Sequence, residues 1–527
     1  MKIILAEKVS PATLAVFKTE STWTILEHDQ LPNGLAAELA DADGLVVRSA
    51  VQVDDALLEH APNLRVIGRA GVGVDNIDTD AATRRGIVVM NTPGANAVAV
   101  AELSLALMLA LGRKLPLANA TMHAGKWEKK SLQGVELRGK TLGILGLGRV
   151  GLEVARRARA FQMKLIAHDP FVSVAVAREN DIKLVSTDEL FTDSDYLTLH
   201  VGLTPQTHGI LNEKTIATMK KGVRIVNCAR GELINDDALV AALKSGQVGG
   251  AALDVFSAEP LKDSAYFGLD NVILTPHIAG STTEAQEAVG VQIALQVREY
   301  LKLGVVQNAV NLPSLGHEEY VRLSPYIQMA QRLGEFVAQS SQASVEGISI
   351  DYTGMLADAK TELVRNAAIQ GVLAQTEHVN RINAATIAQE RGIRLHEKKS
   401  EGAAEASLTL TLSGPEGSAT AKATVLHGNS PRLVSCDGID IEVPLEGTLL
   451  LCRNLDVPGV IGRIGTILGD HKINIANFAL GRSGKIGDGP ARALAVIQVD
   501  EVPSEAALEA LRSIEALLEA RVIRLSA

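Results

Sequence analysis

The stretch Leu142-Gly-Ile-Leu-Gly-Leu-Gly-Arg-Val-Gly151 leaves few folds open to this chain. Leu142, Ile144 and Leu145 read as the end of a buried strand. Gly146, Gly148 and Gly151 fit G-x-G-x-x-G, and LEVARRARAF continues with the apolar spacing of a helix. A strand, a glycine turn and a helix in that order suit a dinucleotide. Gly146 permits the tight turn, Gly148 lets a pyrophosphate approach the backbone, and Gly151 lets helix and strand pack closely, with the helix N-terminus facing the phosphate charge. Alone, the pattern equally fits a glycine turn in any α/β sheet. The next strand separates the two readings: KLIAHDP ends an apolar run at Asp169, 18 residues past Gly151. A carboxylate there accepts hydrogen bonds from an adenosine ribose and repels the extra phosphate of NADP. No arginine follows it directly, which points to NAD.

A chain of 527 residues is too long for one core. Aromatic residues are only 3%, so the cores are built from Val, Ile, Leu and Ala. A net charge of −10 argues against a nucleic-acid or membrane-surface protein, which needs a basic face. An anionic substrate then has to be held by local arginines. Cys228, Cys436 and Cys452 form no disulfide framework and no metal-ligand spacing, and read as buried thiols in a reducing compartment. MKIILAEKVS reads as a first β-strand, with too short an apolar core for a signal peptide. The most apolar helix, around VAVAELSLALMLALG, is interrupted by Glu102 and falls short of the ~20 apolar residues that span a bilayer. The expectation is a soluble, cytoplasmic protein without a metal.

Patterning predicts an α/β chain of two doubly wound parallel-sheet (Rossmann-like) domains, an α+β intervening domain and a C-terminal ferredoxin-like βαββαβ domain. The first unit spans 1–96 and resumes at 281–312, where TTEAQEAVGVQIALQVREYL forms a helix that runs back to it. The dinucleotide unit spans 97–280, with the cleft between these two units as the expected active site. Residues 313–446 alternate helix-like and strand-like, Gly- and Ser-punctuated sequence (VEGISIDYTG, SLTLTLSG, ATVLHG, IDIEVPLEG) and carry no catalytic constellation. Residues 447–527 form the βαββαβ unit. There GRSGKIGDGP, with Lys485, reads as a hairpin tip and not a phosphate loop, because it opens no helix.

Three strand ends of the dinucleotide unit carry polar groups suited to hydride transfer. VNCARG places Arg230 after a buried strand, where its planar fork can grip a carboxylate. DVFSAEP and LTPHIAG place Glu259 and His277 after the next two. A histidine held by a carboxylate has a fixed tautomer and can take the proton of a substrate hydroxyl. Each residue alone reads as a polar loop residue; three on successive strand ends of one sheet are hard to reconcile with chance. His168 and His200 lack a matching carboxylate, though His200 fits the lining of a nicotinamide pocket. In the first unit Arg48 directly follows the run LVV and is placed to hold an anion, unless it is simply a solvated loop arginine.

GRAGVGVDNID, NTPGANAVAVAE, GILGLGRVG, NCARGELI, DVFSAEP and TPHIAGST resemble the motifs of the NAD-dependent D-2-hydroxyacid dehydrogenase family, and NLDVPGVIGRIGTILGDHKINIANFALGR resembles an ACT domain. Together, with a module between them, they are similar to the long, ACT-bearing members of that family that oxidise D-3-phosphoglycerate at the start of L-serine synthesis. The resemblance implies that Arg230 holds the substrate carboxylate, Glu259 orients the imidazole and His277 does the acid/base work. It implies Arg149 and Val150 at the pyrophosphate and Asp169 at the ribose. Val72, Cys228, Ala229 and Asp254, with Ala279 and Gly280, fall to the cofactor side. Arg48, Ser49, Gly73 and Asn96 fall to the substrate, Arg48 being the phosphate candidate. One departure is LHVGLTPQT, where relatives often place Thr-Pro and this chain has Val201-Gly202.

The resemblance also implies that Asn454, Asp456 and Asn474 bind L-serine as a feedback effector on paired ACT domains. An alternative is that Asp456 merely caps the following helix. The resemblance further implies a homo-oligomer, with a tetramer the expected state. Trp127, in HAGKWEKKSL, fits either a plug into a neighbouring subunit or packing on its own domain. Two other functions stay open: oxidation of a different D-2-hydroxyacid (hydroxypyruvate, glyoxylate, lactate or 2-hydroxyglutarate as the redox partner), or an NAD-sensing corepressor.

Overall fold

The computed structural model describes residues 1–312, 317–341, 344–374, 376, 379–400, 405–483 and 491–526. Its first sheet has five parallel strands in the order Thr24–Glu27, Lys2–Leu5, Gly44–Val47, Val66–Arg69, Val88–Met90. The central strands are buried on both faces, as their unbroken Val, Ile and Leu runs require. One face is covered by the helix Thr283–Leu303, which packs beside Pro11–Lys18. It lies so close that a Cβ on Gly68 would stand 2.7 Å from Val297. The chain on both sides of the dinucleotide unit therefore builds one core. After this helix the chain runs along the edge strand Val88–Met90: Val310 donates its N–H to Val89, and Asn311 Oδ1 accepts from the Val89 N–H at 2.9 Å.

The second sheet has seven parallel strands in the order Val272–Leu274, Val248–Leu253, Val223–Asn227, Tyr196–Leu199, Thr141–Leu145, Lys164–His168, Lys183–Leu184. From Thr141–Leu145 the chain first goes to one side, then crosses to the other at Tyr196–Leu199. That reversal opens a crevice at the carboxyl ends, directly above the glycine turn.

The third sheet pairs Arg394–Ser400 parallel with Gly347–Thr353, then continues antiparallel through Ser407–Gly414, Gly417–Leu426, Ser430–Cys436 and Ile439–Pro444. Arg394–Ser400 escapes sequence patterning because its side chains are almost all exposed and polar; it is an edge strand held by backbone pairing. The long helix His317–Ser340 crosses Glu362–Val372 at two glycines, Gly334 and Gly371. A Cβ on either would strike the other helix's backbone, at 2.2 and 1.9 Å respectively. The last sheet is antiparallel, Ile475–Arg482, Arg492–Val499, Thr448–Leu455, Leu517–Arg524, with helices Val460–Asp470 and Glu505–Arg512. This is the βαββαβ order that patterning predicts. Most of the hairpin segment containing Lys485 lies outside the described residues. The last two units share a core. Buried Arg332 donates to the carbonyls of Leu445 and Ser526, and buried Glu335 accepts from the Ser526 N–H at 2.7 Å. Among the described residues no helix is long and apolar enough to cross a membrane, and no group of acidic, His or Cys side chains is arranged to hold a metal.

Candidate active site

The glycine turn has the three properties its sequence asks for. Gly146 has φ +93°, and its Cα lies so close to the backbone at His200 that a Cβ would stand 2.7 Å from that carbonyl oxygen. Gly151 packs against the strand end, where a Cβ would stand 2.2 Å from the Gly146 oxygen. Gly148 caps the helix Arg149–Ala160 and has nothing within 4 Å of its Cβ direction, the open space that a pyrophosphate needs. Asp169 Oδ2 accepts from the Leu147 N–H and Oδ1 from the Phe171 N–H, each at 2.8 Å. Its carboxylate thus braces the glycine turn and keeps lone pairs for a ribose. Val150 is half-buried in the first turn of the helix. Arg149, in the first turn of the same helix, reaches with its long side chain to the Pro93 carbonyl of the first unit.

The loop carrying His277 is tied down from beneath. Asp254 is fully buried, and its carboxylate accepts from Thr275 Oγ1 at 2.6 Å, the Ile278 N–H at 2.9 Å and the Ala279 N–H at 2.8 Å. These three bonds hold Ala279 and Gly280 in place and leave the carboxylate one acceptor site. The Gly280 carbonyl in turn accepts from Gln286. His277 itself sits at φ +52° and donates its N–H to the Asp254 carbonyl. Its Nδ1 meets Glu259 Oε2 at 2.7 Å, while Glu259 Oε1 accepts from the Phe256 N–H. With Nδ1 as the donor, Nε2 is the nitrogen left to accept a substrate proton. The sequence-predicted pair is therefore brought together.

Arg230 is carried by a turn that buried Asn227 staples. The amide Nδ2 of Asn227 donates to the Arg230 carbonyl and its Oδ1 accepts from the Ala229 N–H. Cys228 in that turn is buried, which pushes its thiol up to about 12; it is packing and not a nucleophile. Burial likewise pushes His200 down to about 3, so its imidazole is neutral; Nε2 pairs with Thr198 Oγ1.

Across the cleft, the Arg48 loop is built on Glu7. One carboxylate accepts from the backbone N–H groups of Arg48, Ala50 and Val51, leaving Ser49 exposed between them. The Arg48 guanidinium donates to the Lys8 carbonyl and to Gln286. It faces a pocket of about 450 Å³ lined by Lys8, Ser10, Arg48, Ala70, Thr282 and Gln286. Two helices begin at this pocket, capped by Ser10 and Thr282. Next to it, Arg230 Nη2 pairs with Asp75 Oδ2 at 3.0 Å directly over Gly73. The Val72 carbonyl accepts from Asn91. Asn96, at the start of Ala97–Arg113, lies beside Gly280 with its Oδ1 buried and unpartnered among the described residues.

Sequence reasoning missed Glu7, Arg69, Asp75 and Asn227. Arg69 has a buried Nε without a partner among the described residues; burial, then the nearby Arg230, pulls its guanidinium below the usual arginine value. The signal was available, since Glu7 and Arg69 both stand at the ends of apolar strand runs.

In the last unit the three effector candidates do not meet within one chain. Asn454 pairs with Ala493 across the sheet, whereas Ile475, next to Asn474, pairs with Val499. Six residues of antiparallel strand separate the two positions by about 20 Å. Asn454 is buried with its Oδ1 unpartnered among the described residues, Asp456 pairs with Arg482 at 3.5 Å, and exposed Asn474 donates to Asp500. The helix Val460–Asp470 starts from Gly459 without a side-chain cap, so Asp456 is not its cap. Trp127 is 81% exposed.

Residues 105–279 match the D-isomer specific 2-hydroxyacid dehydrogenase NAD binding domain, 322–437 the D-3-phosphoglycerate dehydrogenase intervening domain and 448–516 the ACT domain. The D-3-phosphoglycerate dehydrogenase of Methanocaldococcus jannaschii is 41% identical over 93% of this chain and 94% of its own. That of Archaeoglobus fulgidus is 38% identical over the full length of both. Among solved structures, D-lactate dehydrogenase from Aquifex aeolicus complexed with NAD and lactic acid superposes with a TM-score of 0.53 at 29% identity, covering 60% of this chain and all of its own.

Proposed function

This chain belongs to the D-3-phosphoglycerate dehydrogenase family, and on that premise we propose that it oxidises D-3-phosphoglycerate to 3-phosphohydroxypyruvate with NAD, the first step of L-serine synthesis. The observation that carries the reading is the His277–Glu259 contact of 2.7 Å, with Arg230 at the end of another strand of the same sheet and Arg48 at a strand end of the first unit.

Each residue then has a task. Arg48, with Lys8 and the two helix N-termini at its pocket, offers the phosphate a positive seat inside an acidic protein. Arg230 takes the carboxylate through its fork, and we assign Ser49, Gly73 and Asn96 to the substrate with it. His277 Nε2 removes the hydroxyl proton, and the Glu259 carboxylate stabilises the imidazolium that forms. Gly146, Gly148, Arg149, Val150, Gly151 and Asp169 would hold NAD, with Val72, Cys228, Ala229, Asp254, Ala279 and Gly280 on its nicotinamide side. When bound, NAD supplies the acceptor for the substrate's hydride.

We assign the substrate unit to 1–96 with 281–312, the NAD unit to 97–280, the intervening unit to 313–446 and the ACT unit to 447–527. The separation of Asn474 from Asn454 and Asp456 supports an L-serine site shared between two copies, and so a homo-oligomer, which we take as a tetramer. Three buried free cysteines support a reducing, cytoplasmic setting.

Purified protein with NAD and D-3-phosphoglycerate is expected to produce NADH, and millimolar L-serine to slow it. Turnover indifferent to serine would leave the enzyme and demote the ACT residues to structure. Activity only on an unphosphorylated hydroxyacid would move the assignment to another member of the wider family. Asp169→Ala should raise KM for NAD about ten- to hundredfold, since charge-assisted bonds to the ribose are lost and the Leu147 N–H loses its acceptor. It should also narrow the preference over NADP. An unchanged NAD-to-NADP ratio would place the ribose contact elsewhere.

A further inference from the structure

Three carboxylates at the cleft are tied to the backbone. Glu7 accepts from the N–H groups of Arg48, Ala50 and Val51, Asp254 from those of Ile278 and Ala279, and Glu259 from that of Phe256. Asp75 differs. Its side chain is 67% exposed, and among the described residues its only ion-pair contact is the guanidinium of Arg230, at 3.0 Å. The two residues come from different units: Asp75 follows the strand Val66–Arg69 and Arg230 follows Val223–Asn227. They meet over bare backbone, where a Cβ on Gly73 would stand 2.1 Å from Arg230 Nη2 and 2.7 Å from Asp75 Oδ2. Arg230 gives Nη1 to the Ala229 carbonyl, so Nη2 is the donor it presents to the cleft, and Asp75 takes it.

We propose that Asp75 is a resident counter-ion: it holds and neutralises Arg230 in the empty cleft and yields that guanidinium to the substrate's carboxylate. The inference rests on the substrate reading above only in naming which carboxylate displaces it. Asp75 offers Arg230 the same group that the substrate does, so the two compete for one donor. Arg69, with its unpartnered Nε, stands beside Arg230, so two guanidinium groups draw an incoming anion to the place Asp75 occupies. An exposed pair without a backbone tether is weak, so it exchanges readily. Asp75 is thus a positioning residue that sets substrate affinity and leaves the chemical step alone.

The test is Asp75→Asn, which keeps the shape and removes the charge. KM for D-3-phosphoglycerate is expected to fall about two- to fivefold, the range set by an exposed ion pair, with kcat within about twofold of the parent. Oxalate, a carboxylate probe without a phosphate, should bind the NADH-loaded protein more tightly by a similar factor, read by NADH fluorescence. Inhibition by inorganic phosphate should not change. A KM that rises, with weaker oxalate binding, would show instead that Asp75 holds Arg230 for the substrate. An unchanged KM and unchanged oxalate affinity would show that it does not compete, and either result overturns the proposal. If neither protein turns over D-3-phosphoglycerate but oxalate still tightens, the substrate reading fails and the counter-ion stands.

Discussion

His277→Asn is expected to lower turnover of D-3-phosphoglycerate by a factor of about 10² to 10⁴ while NADH affinity stays within a few-fold. The loss follows from removing the only side chain in the cleft, among the described residues, that is both held by a carboxylate and left with an open ring nitrogen. Asparagine is the informative replacement because residue 277 has φ +52°, a conformation that asparagine tolerates and alanine resists. The Asp254 clamp acts through backbone N–H groups and Thr275, so it survives the change and the loop keeps its place. Steady-state rates and an NADH fluorescence titration on the same preparation check both halves. Lost NADH binding would make His277 a structural residue of the cofactor side, and retained turnover would send the search for the base elsewhere.

The second large effect separates two glycines three residues apart. Gly151→Ala puts a Cβ 2.2 Å from the Gly146 carbonyl oxygen, a backbone atom that cannot swing aside. The helix Arg149–Ala160 must move off its strand, and overpacking of this kind costs about 1–3 kcal/mol. Both the thermal unfolding temperature and NADH affinity should fall, the latter at least about tenfold. Gly148→Ala should behave differently. Its Cβ direction is open to 4 Å, so folding stability should hold while the methyl group fills the place of the pyrophosphate and NADH affinity drops. A Gly148→Ala protein that binds NADH like the parent would show that the pyrophosphate does not lie against this turn.

These two experiments probe features that differ in how far they were legible in the sequence. The glycine turn is local: strand, turn and helix are consecutive, and each glycine's role follows from backbone geometry within ten residues. Glu259 and His277 were legible as strand-end residues, because a parallel sheet delivers every strand's carboxyl end to the same edge. Their meeting at 2.7 Å was not legible, since it depends on Asp254, at the end of the strand that leads to Glu259, clamping the loop of His277. Arg48 was legible for the same reason as His277. Glu7, which shapes the Arg48 loop, was not, because its partners are backbone N–H groups more than forty residues away and leave no pattern in side chains. The edge strand Arg394–Ser400 shows the converse limit. Its polar, exposed side chains carry no periodicity, and only the ladder to Gly347–Thr353 makes it a strand.

What the sequence determined by itself is therefore whatever rests on spacing along the chain. That comprises the order of strands and helices, the apolar runs that must be buried, the glycine turn, and the identity of the groups at each strand end. What the tertiary structure decided is which of those groups face one another. It set Arg230 against Asp75 over Gly73, turned Arg149 to the Pro93 carbonyl, and bound the Asp254 carboxylate to the His277 loop. It also kept Asn474 about 20 Å from Asn454 along one sheet. The physical reason is range. Burial and backbone conformation act on a residue and its near neighbours in sequence. Hydrogen bonds and ion pairs at the cleft join segments of distant sequence, and those that link the two units, such as Arg230 with Asp75, exist only once both sheets have been brought together.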